Sequence, residues 1–279
     1  MLADTLKEEP LLISFLVRMA CQQYGVAGLE RVLNRVPTPD SELSDLAGML
    51  ATAENPEVLD RTLVGERCMG LHYFGLSIGD LESFLESLET VPGSDSEHNG
   101  DLLNRAWSKI GIWLFEATGQ MERDDLFYLK CFEDLLAAAK TPPHLRVAAG
   151  SLVGTRVGAS KREKFPYILS GLIVPGVIKV FPKDARNVAS IRLAQTALAI
   201  ERFRLKNGGM PTDLTALVPS FLEQPPLDPF DGKLLRFRKL EKGYTLYSVG
   251  PDATDDHGRQ SKPDDKAHSR WDLTFTVTR

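Results

Sequence analysis

Apolar side chains recur at spacings of three and four residues throughout the first 160 positions. This periodicity predicts amphipathic helices, several of them bounded by prolines or begun at acidic residues that favour helix starts. Short polar loops join them, and no alternating strand pattern occurs in this half. The predicted helices cover residues 10–21, 26–36, 40–50, 56–74, 80–88, 101–118, 122–140 and 144–155. We therefore expect residues 1–160 to form an all-helical bundle or array.

The pattern changes after residue 160. A charged linker (161–164) and an apolar stretch interrupted at Pro175-Gly176 lead into a long helix predicted over 184–207. Alternating apolar and polar residues then predict strands. The predicted strands are 234–240, 244–249 and 273–277. The expected fold class is therefore mixed, with the all-α domain 1–160 followed by an α+β domain 161–279 in which one long helix packs on a small antiparallel sheet.

Composition narrows the range of functions. The 279-residue chain is 43% apolar and 25% charged, which is typical of a globular protein. Its formal net charge of −5 argues against nucleic acid or an anionic membrane as a partner. The longest apolar run, 168–181, is interrupted by glycine, proline and lysine and is too short to span a bilayer. Because the chain opens without a helix-capping signal, we expect a membrane anchor to lie upstream of it.

Three motifs near the C-terminus occur in a fixed order. Leu227-Asp-Pro-Phe-Asp-Gly-Lys233 is followed by Tyr244-Thr-Leu-Tyr-Ser-Val-Gly-Pro-Asp252, and Ala199-Ile-Glu-Arg-Phe-Arg-Leu-Lys-Asn-Gly208 precedes both. Together they resemble the C-terminal part of the major pseudopilins of type II secretion systems, over about residues 184–279. The resemblance implies a long helix on a three-stranded sheet, a calcium-binding acidic loop, and a role in assembly rather than catalysis.

The chain also departs from the pseudopilin pattern. No glycine precedes Phe165, no glutamate follows it in the expected place, and Pro166 and Pro175 interrupt the apolar helix. The 160 residues in front would prevent processing at that position. We therefore expect a pseudopilin-like head behind a helical domain in a bacterial envelope protein, rather than a conventional pilus subunit.

The acidic loop supplies the candidate metal ligands. Asp252, Asp255 and Asp256 lie within five residues, and Asp272 follows later in the chain. Carboxylate oxygens are the ligands that calcium prefers, so these four aspartates are the candidate calcium site that the resemblance implies. The alternative is a solvated turn in which aspartates cap backbone amides. Basic residues within the same region, including Arg259 and Lys262, would compete with a cation.

A search for catalytic residues finds one weak arrangement. Glu66, Cys68 and His72 lie at helical spacing, and Cys68 and His72 share a helix face. Their apolar neighbours favour ordinary helix packing, and Glu66 is expected to form a structural ion pair with Arg18 or Arg67. The sequence contains no phosphate-binding loop, dinucleotide fingerprint or zinc-protease motif. The three cysteines are too far apart in sequence for a metal motif and predict buried thiols, although an exported protein could form one disulfide.

The favoured interpretation is a non-enzymatic binding or scaffold protein. We expect partners from a secretion or envelope assembly, no cofactor other than calcium, and a periplasmic or otherwise extracytoplasmic location. One alternative is a helical enzyme or ligand-binding domain with the C-terminal module as a docking element. A polar cleft containing His72 and Glu66 would favour that alternative, whereas an apolar groove would favour the scaffold. A further alternative treats the pseudopilin resemblance as coincidence.

Overall fold

The computed structural model describes residues 2–77, 79–81, 83, 117–160, 167–259 and 272–278. The predicted helix over 101–118 and most of the one over 80–88 lie outside these ranges. The helices and strands, in chain order, are α1 (Leu12–Arg35), α2 (Asp40–Ala51), α3 (Pro56–Phe74), α4 (Gln120–Ala139), α5 (Pro143–Ser160), α6 (Ile168–Ile178), α7 (Val180–Asn207), β1 (Arg236–Lys239), β2 (Tyr244–Ser248) and β3 (Leu273–Val277). Short 3-10 helices cover Leu2–Leu6 and Leu214–Leu217.

The described part of the chain is therefore mostly helical, with one small three-stranded antiparallel sheet. This confirms the coarse fold class expected from the sequence. The strand order is β1-β2-β3, and Phe237 and Phe275 both lie opposite Leu246. The hairpin between β1 and β2 turns at Gly243, whose φ of +93° favours glycine. A Cβ atom added there would also clash with the carbonyl of Val277.

Two predicted interruptions are wrong. The predicted helices 10–21 and 26–36 are one continuous helix, α1, which passes through Gly25. A mid-helix glycine costs only about 1 kcal/mol relative to alanine, and the buried face of α1 offsets that cost. The predicted break at Pro175-Gly176 is also absent, since Pro175 lies inside α6 and the long helix α7 begins already at Val180.

Helix boundaries follow local chemistry elsewhere. The Asn55 side chain accepts a hydrogen bond from the amide of Glu57 and Pro56 occupies the first turn, which together start α3. Gly208 adopts a φ of +72° and ends α7. Asp213 accepts hydrogen bonds from two amides and starts the 3-10 helix at Leu214. The predicted cap of α2 differs, because Asp40 is the first helical residue and its side chain makes no capping bond.

Two large hydrophobic cores and a smaller cluster around Leu81 and Leu169 lie in the described part of the molecule. The helical core joins α3, α4, α5 and α6 to the first half of α1 and the first turn of α7, with Tyr128 and Phe132 fully buried at its centre. The sheet core joins β2 and β3 to the middle of α7, to the second half of α1 and to α2. Each core thus contains residues from both sides of position 160. The domain division at that position stays a prediction.

Buried polar side chains lie between α1, α5 and α7. Gln22 donates to the carbonyl of Ala53 at 3.0 Å and accepts from Asn187 at 2.8 Å. Nearby, Arg146 pairs with Asp184 at 3.2 Å. Burial raises the pKa of Asp184, although the charge of Arg146 opposes that rise. The Gln22–Asn187 bond thus joins α1 to α7, and the Arg146–Asp184 pair joins α5 to α7. None of the helices in the described ranges is both long and apolar enough to cross a membrane.

Candidate functional site

The Leu227–Lys233 motif forms a tight turn around the buried carboxylate of Asp228. The Asp228 amide donates to the carbonyl of Lys233 at 2.7 Å, and the amide of Gly232 donates back to the Asp228 carbonyl at 2.9 Å. Gly232 has a φ of +71°, and its Cα packs against the ring of His144 at the start of α5. The motif is therefore a hydrogen-bonded turn, and it contacts α5 in the helical half of the molecule.

Four donors surround the Asp228 carboxylate, which is only 1% exposed. The Ser248 hydroxyl and the amides of Val249 and Phe230 each donate at 2.9 Å, and Arg236 donates at 3.0 Å. Asp228 thus ties the turn before β1 to the end of β2. Two of the three motifs on which the resemblance rests, those around Asp228 and Ser248, contact each other through this one side chain.

Arg236 joins Asp228 to a second carboxylate, Asp231. Arg236 donates to both, and the amide of Lys233 donates to Asp231 at 3.0 Å. Burial opposes the ionisation of Asp231, but hydrogen bonds from Arg236 and Lys233 outweigh it and hold the pKa of Asp231 below its usual value. The hydrogen bond to Asp231 correspondingly raises the pKa of Arg236. No local pattern predicts that Arg236, within an alternating strand, is the partner of these two carboxylates.

The predicted calcium ligands lie in the loop after β2. Asp252 and Asp255 are exposed, and their carboxylates accept hydrogen bonds from the amides two residues ahead, at 3.1 and 2.9 Å. Asp256 is half-buried. Asp272 is 5% exposed, and its Oδ2 atom accepts from the amide of Gly258 at 2.7 Å. Asp252 and Asp255 therefore make the local turns that the solvated-loop alternative describes.

Asp272 is the unusual member of the four. Its Oδ1 atom is buried and has no hydrogen-bond partner among the described residues. Burial, followed by the charges of Asp255 and Asp256, raises the pKa of Asp272 against the effect of the Gly258 amide. Within the described ranges, however, no three Asp, Glu, His or Cys side chains converge in a way that could hold a metal ion. Asp264, Asp265 and the basic residues between 260 and 271 lie outside those ranges.

The two edges of the sheet differ. At the β3 edge, the Glu30 carboxylate accepts from the amide of Thr276, while Asn34 donates to the Thr276 carbonyl and accepts from the amide of Thr278, all at 2.8 Å. Glu30 and Asn34 lie one turn apart on α1 and take the place of a neighbouring strand. The sequence analysis missed this role, although the i, i+4 spacing of two polar residues on an apolar helix was visible.

The β1 edge has no such cover in the part of the chain that the structure describes. Leu240 donates to the Gly243 carbonyl at the hairpin. Since bonded and non-bonded pairs alternate along an antiparallel ladder, the backbone groups of Phe237 and Lys239 point away from β2. Arg238 and Lys239 are exposed beside them. This basic strand is the open edge of the sheet.

The helical half brings no catalytic group together at the predicted residues. Cys68 and His72 are exposed on α3. Instead of the expected ion pair, Glu66 accepts a hydrogen bond from the Leu12 amide at 2.8 Å and so caps the start of α1. All three cysteines are free thiols. Cys131 is buried as predicted, and burial raises its pKa to about 11, whereas Cys21 is half-buried and Cys68 exposed.

A cavity of about 260 Å³ lies between α1, α2 and α7. Its walls are mostly aliphatic, and neither His72 nor Glu66 lines it. Ligand sites in proteins are typically concave and mostly apolar, as this cavity is.

Comparisons with protein-family models, with curated proteins and with solved structures found no match to this chain. The proposals below therefore rest on the geometry just described and on the resemblance of the C-terminal motifs.

Proposed function

We propose that this chain is a non-enzymatic binding or scaffold protein of a bacterial secretion or envelope assembly. Its C-terminal part, residues 184–279, acts as a pseudopilin-like module that holds a partner protein. The open basic edge at β1 carries the proposal. The opposite edge is closed by side chains of α1, so among the described residues β1 is the strand on which a partner can pair its backbone.

Physical chemistry favours an extended, acidic segment as the partner's contact. Unpaired amides and carbonyls at a sheet edge accept an added strand, and flanking side chains select it. Arg238 and Lys239 attract carboxylates and repel other basic strands. The same charges also protect an edge against self-association, so an experiment must separate the two roles.

The arrangement of α7 on the sheet supports the pseudopilin-like assignment. Ala197, Leu198 and Ile200 share one core with Tyr244 and Phe275. The Tyr244 hydroxyl donates to the Ala197 carbonyl at 3.3 Å. A long helix on a three-stranded antiparallel sheet is the plan that the three sequence motifs imply.

Substitution of Lys239 tests the open edge. Lys239→Pro removes an amide that points away from β2, so it leaves the β1–β2 ladder intact, and proline is tolerated on an edge strand. Lys239→Ala is the matched control, because it removes the charge and keeps the amide. A photo-crosslinking residue placed at Arg238 in the native host reports the contact. We expect one envelope or secretion protein to be captured with Lys239→Ala and lost with Lys239→Pro.

Capture that is unchanged by Lys239→Pro would reject the β1 edge as the contact. Absence of any captured protein, in cells that express the chain at its natural level, would reject the scaffold function itself.

The proposed extracytoplasmic location is tested by Cys68. Its thiol is exposed, whereas that of Cys131 is buried. A membrane-impermeant maleimide added to intact spheroplasts should label Cys68 without lysis if the proposal holds. Labelling that requires lysis would place the protein in the cytoplasm. Cys131, labelled only after unfolding, serves as the internal control.

Calcium is a subsidiary proposal. The buried Oδ1 atom of Asp272 favours it, and the use of Asp252 and Asp255 in local turns counts against it. Calorimetry of calcium added to chelator-treated protein tests the site, with Asp272→Asn as the variant. Heat and a raised melting temperature that the variant abolishes would support the site, and their absence in the wild type would remove it.

A further inference from the structure

We infer that the cavity between α1, α2 and α7 is a binding site for a single alkyl chain of a small molecule. Its lining includes the α1 segment from Cys21 to Leu29, Leu46 and Met49 of α2, and Ile191 of α7. Ala3 and Asp4 of the Leu2–Leu6 3-10 helix also line it. This inference is independent of the proposed function, because it concerns a different surface of the molecule.

The chemistry of the walls selects an apolar occupant. Gln22 is the main polar side chain in the wall, and both ends of its amide are already engaged, with Ala53 and with Asn187. Asp4, the single charged residue among the described lining residues, is exposed rather than buried in the wall. The described walls therefore offer a buried polar ligand group few hydrogen-bond partners, and burying such a group without one costs binding energy. The occupant must be a hydrocarbon over the length that it buries.

Shape favours a chain over a ring. No aromatic side chain lines the cavity, and Met49 adds a flexible thioether that adapts to its contact. The α1 wall from Cys21 to Leu29 extends about 12 Å along the helix axis. The volume of about 260 Å³ exceeds the roughly 150 Å³ of an engineered apolar cavity that holds benzene. These dimensions suit an extended chain of about eight carbons.

The site has a mouth through which such a chain can enter. Gly25 and Met49 both line the cavity and are exposed, Met49 by 46%. A Cβ atom at Gly25 would meet nothing within 4 Å. The polar head of the ligand would stay in solvent at this point. The site would therefore recognise the alkyl chain rather than the head group.

Gly25 provides a direct test with a matched control on the same helix. Gly25→Leu introduces a side chain at the mouth, where open space receives it without a clash. Gly28 also has no atom within 4 Å of an added Cβ, and it does not line the cavity. Gly28→Leu therefore reproduces the gain in helix propensity and leaves the site open.

The measurement is calorimetric titration of full-length protein with hexan-1-ol, octan-1-ol and decan-1-ol. We expect affinity to rise about fourfold for each added methylene and to level off near eight carbons. Gly25→Leu should weaken octan-1-ol binding by at least about tenfold, and Gly28→Leu should bind as the wild type does. Wild-type protein that binds no alcohol, or equal binding by Gly25→Leu, would overturn the inference.

Thiol reactivity gives a second, independent measurement. Cys21 lines the cavity, and Cys68 lies exposed on α3 outside it. Saturating octan-1-ol should slow the alkylation of Cys21 by iodoacetamide and leave that of Cys68 unchanged. Equal slowing at both cysteines would indicate non-specific adsorption and would reject the site.

Two further arms complete the experiment. Phosphatidylcholine vesicles replace the alcohol in one arm, and co-sedimentation without octan-1-ol binding would assign the apolar contact to a lipid surface and reject a small-molecule site.

The other arm uses Met49→Ala, which enlarges the cavity. If Gly25→Leu fails to fold, a shift of preference from octan-1-ol to decan-1-ol in Met49→Ala still supports the site, and an unchanged preference rejects it.

Discussion

Asp228 carries a carboxylate into the interior of the C-terminal part because four hydrogen-bond donors replace its water. A buried charge without such partners would be strongly destabilising. The motif that stands out in the sequence therefore has a structural reason to contain an aspartate at this position. Ser248 and Arg236 are needed as well, because each donates a hydrogen bond to this carboxylate.

We predict that Asp228→Ala lowers the free energy of unfolding by about 3 kcal/mol, because it leaves the hydroxyl of Ser248 and the amide of Val249 buried without an acceptor. Asp231→Ala is the matched control, since Asp231 is partly exposed and should cost about 1 kcal/mol. Urea denaturation measures both. Equal costs would show that the Asp228 hydrogen bonds are not the source of the stability.

Asp124 is a second buried carboxylate, in the helical half. It accepts hydrogen bonds from the Leu169 amide at 2.8 Å and from the Ser170 amide at 3.2 Å, which starts α6. Burial raises the pKa of Asp124 from 3.8 to about 6, although the hydrogen bonds from Ser170 and Leu169 oppose the rise. The folded protein therefore holds this proton more tightly than the unfolded chain does.

We predict that the stability contributed by Asp124 falls as pH rises. Because the folded pKa is the higher one, the contribution is fully present below pH 3.8 and is lost as pH passes through about 6. The loss amounts to about 3 kcal/mol. Urea midpoints of the wild type and of Asp124→Asn, compared between pH 4 and pH 7, isolate this residue. Identical pH dependence in the two proteins would contradict the raised pKa.

At the scale of elements, the sequence analysis predicts the helices and strands that local periodicity determines. It misses the features that tertiary packing determines. The alternation predicts the strands β2 and β3, and Pro56 with an apolar stripe predicts helix α3. The continuity of α1 through Gly25 was not predicted, because the burial that offsets the cost of glycine comes from α7, far along the chain. Pro175 is predicted to break a helix for the same reason, because the local sequence does not show the burial that stabilises α6.

The candidate sites likewise combine residues that the sequence singles out with contacts that only the fold creates. Asp228 and Ser248 belong to motifs that the sequence analysis singled out, but their mutual contact depends on the folding of the β1–β2 hairpin. The cavity beside Gly25 combines residues from four separate segments, which no local pattern reveals. Glu30 and Asn34 could be seen as a polar pair on α1, whereas their strand partner, Thr276, could not.

Closure of the β3 edge by α1 leads to an element-scale prediction. Asn34→Ala removes the partners of the Thr276 carbonyl and the Thr278 amide, and it should lower the free energy of unfolding by about 2 kcal/mol. Asn34→Asp keeps the acceptor for Thr278 and should retain the protection of that amide that Asn34→Ala loses, while the Thr276 amide stays bonded to Glu30 in both variants. Hydrogen exchange of residues 273–278 distinguishes them. Arg31→Ala, an exposed change on the same helix, should leave exchange unaltered.

For the whole molecule, the sharing of cores across position 160 matters most. Helix α7 passes from the helical core at Val180 to the sheet core at Ile200, and α1 runs beside it with Phe15 in the first core and Leu33 in the second. The two cores are therefore joined by two long helices that contribute side chains to both.

Leu33→Ala tests whether α1, which precedes position 160, stabilises the sheet core. Leu33 is fully buried on α1 but packs in the sheet core with Leu198 and Val277. We predict a loss of about 3 kcal/mol in the free energy of unfolding, a single unfolding transition, and faster hydrogen exchange in β2. Val32→Ala, at a neighbouring exposed position on α1, should change neither quantity beyond about 0.5 kcal/mol. Unaltered exchange of β2 in Leu33→Ala would mean that residues 161–279 fold as an independent domain, as the sequence pattern predicted.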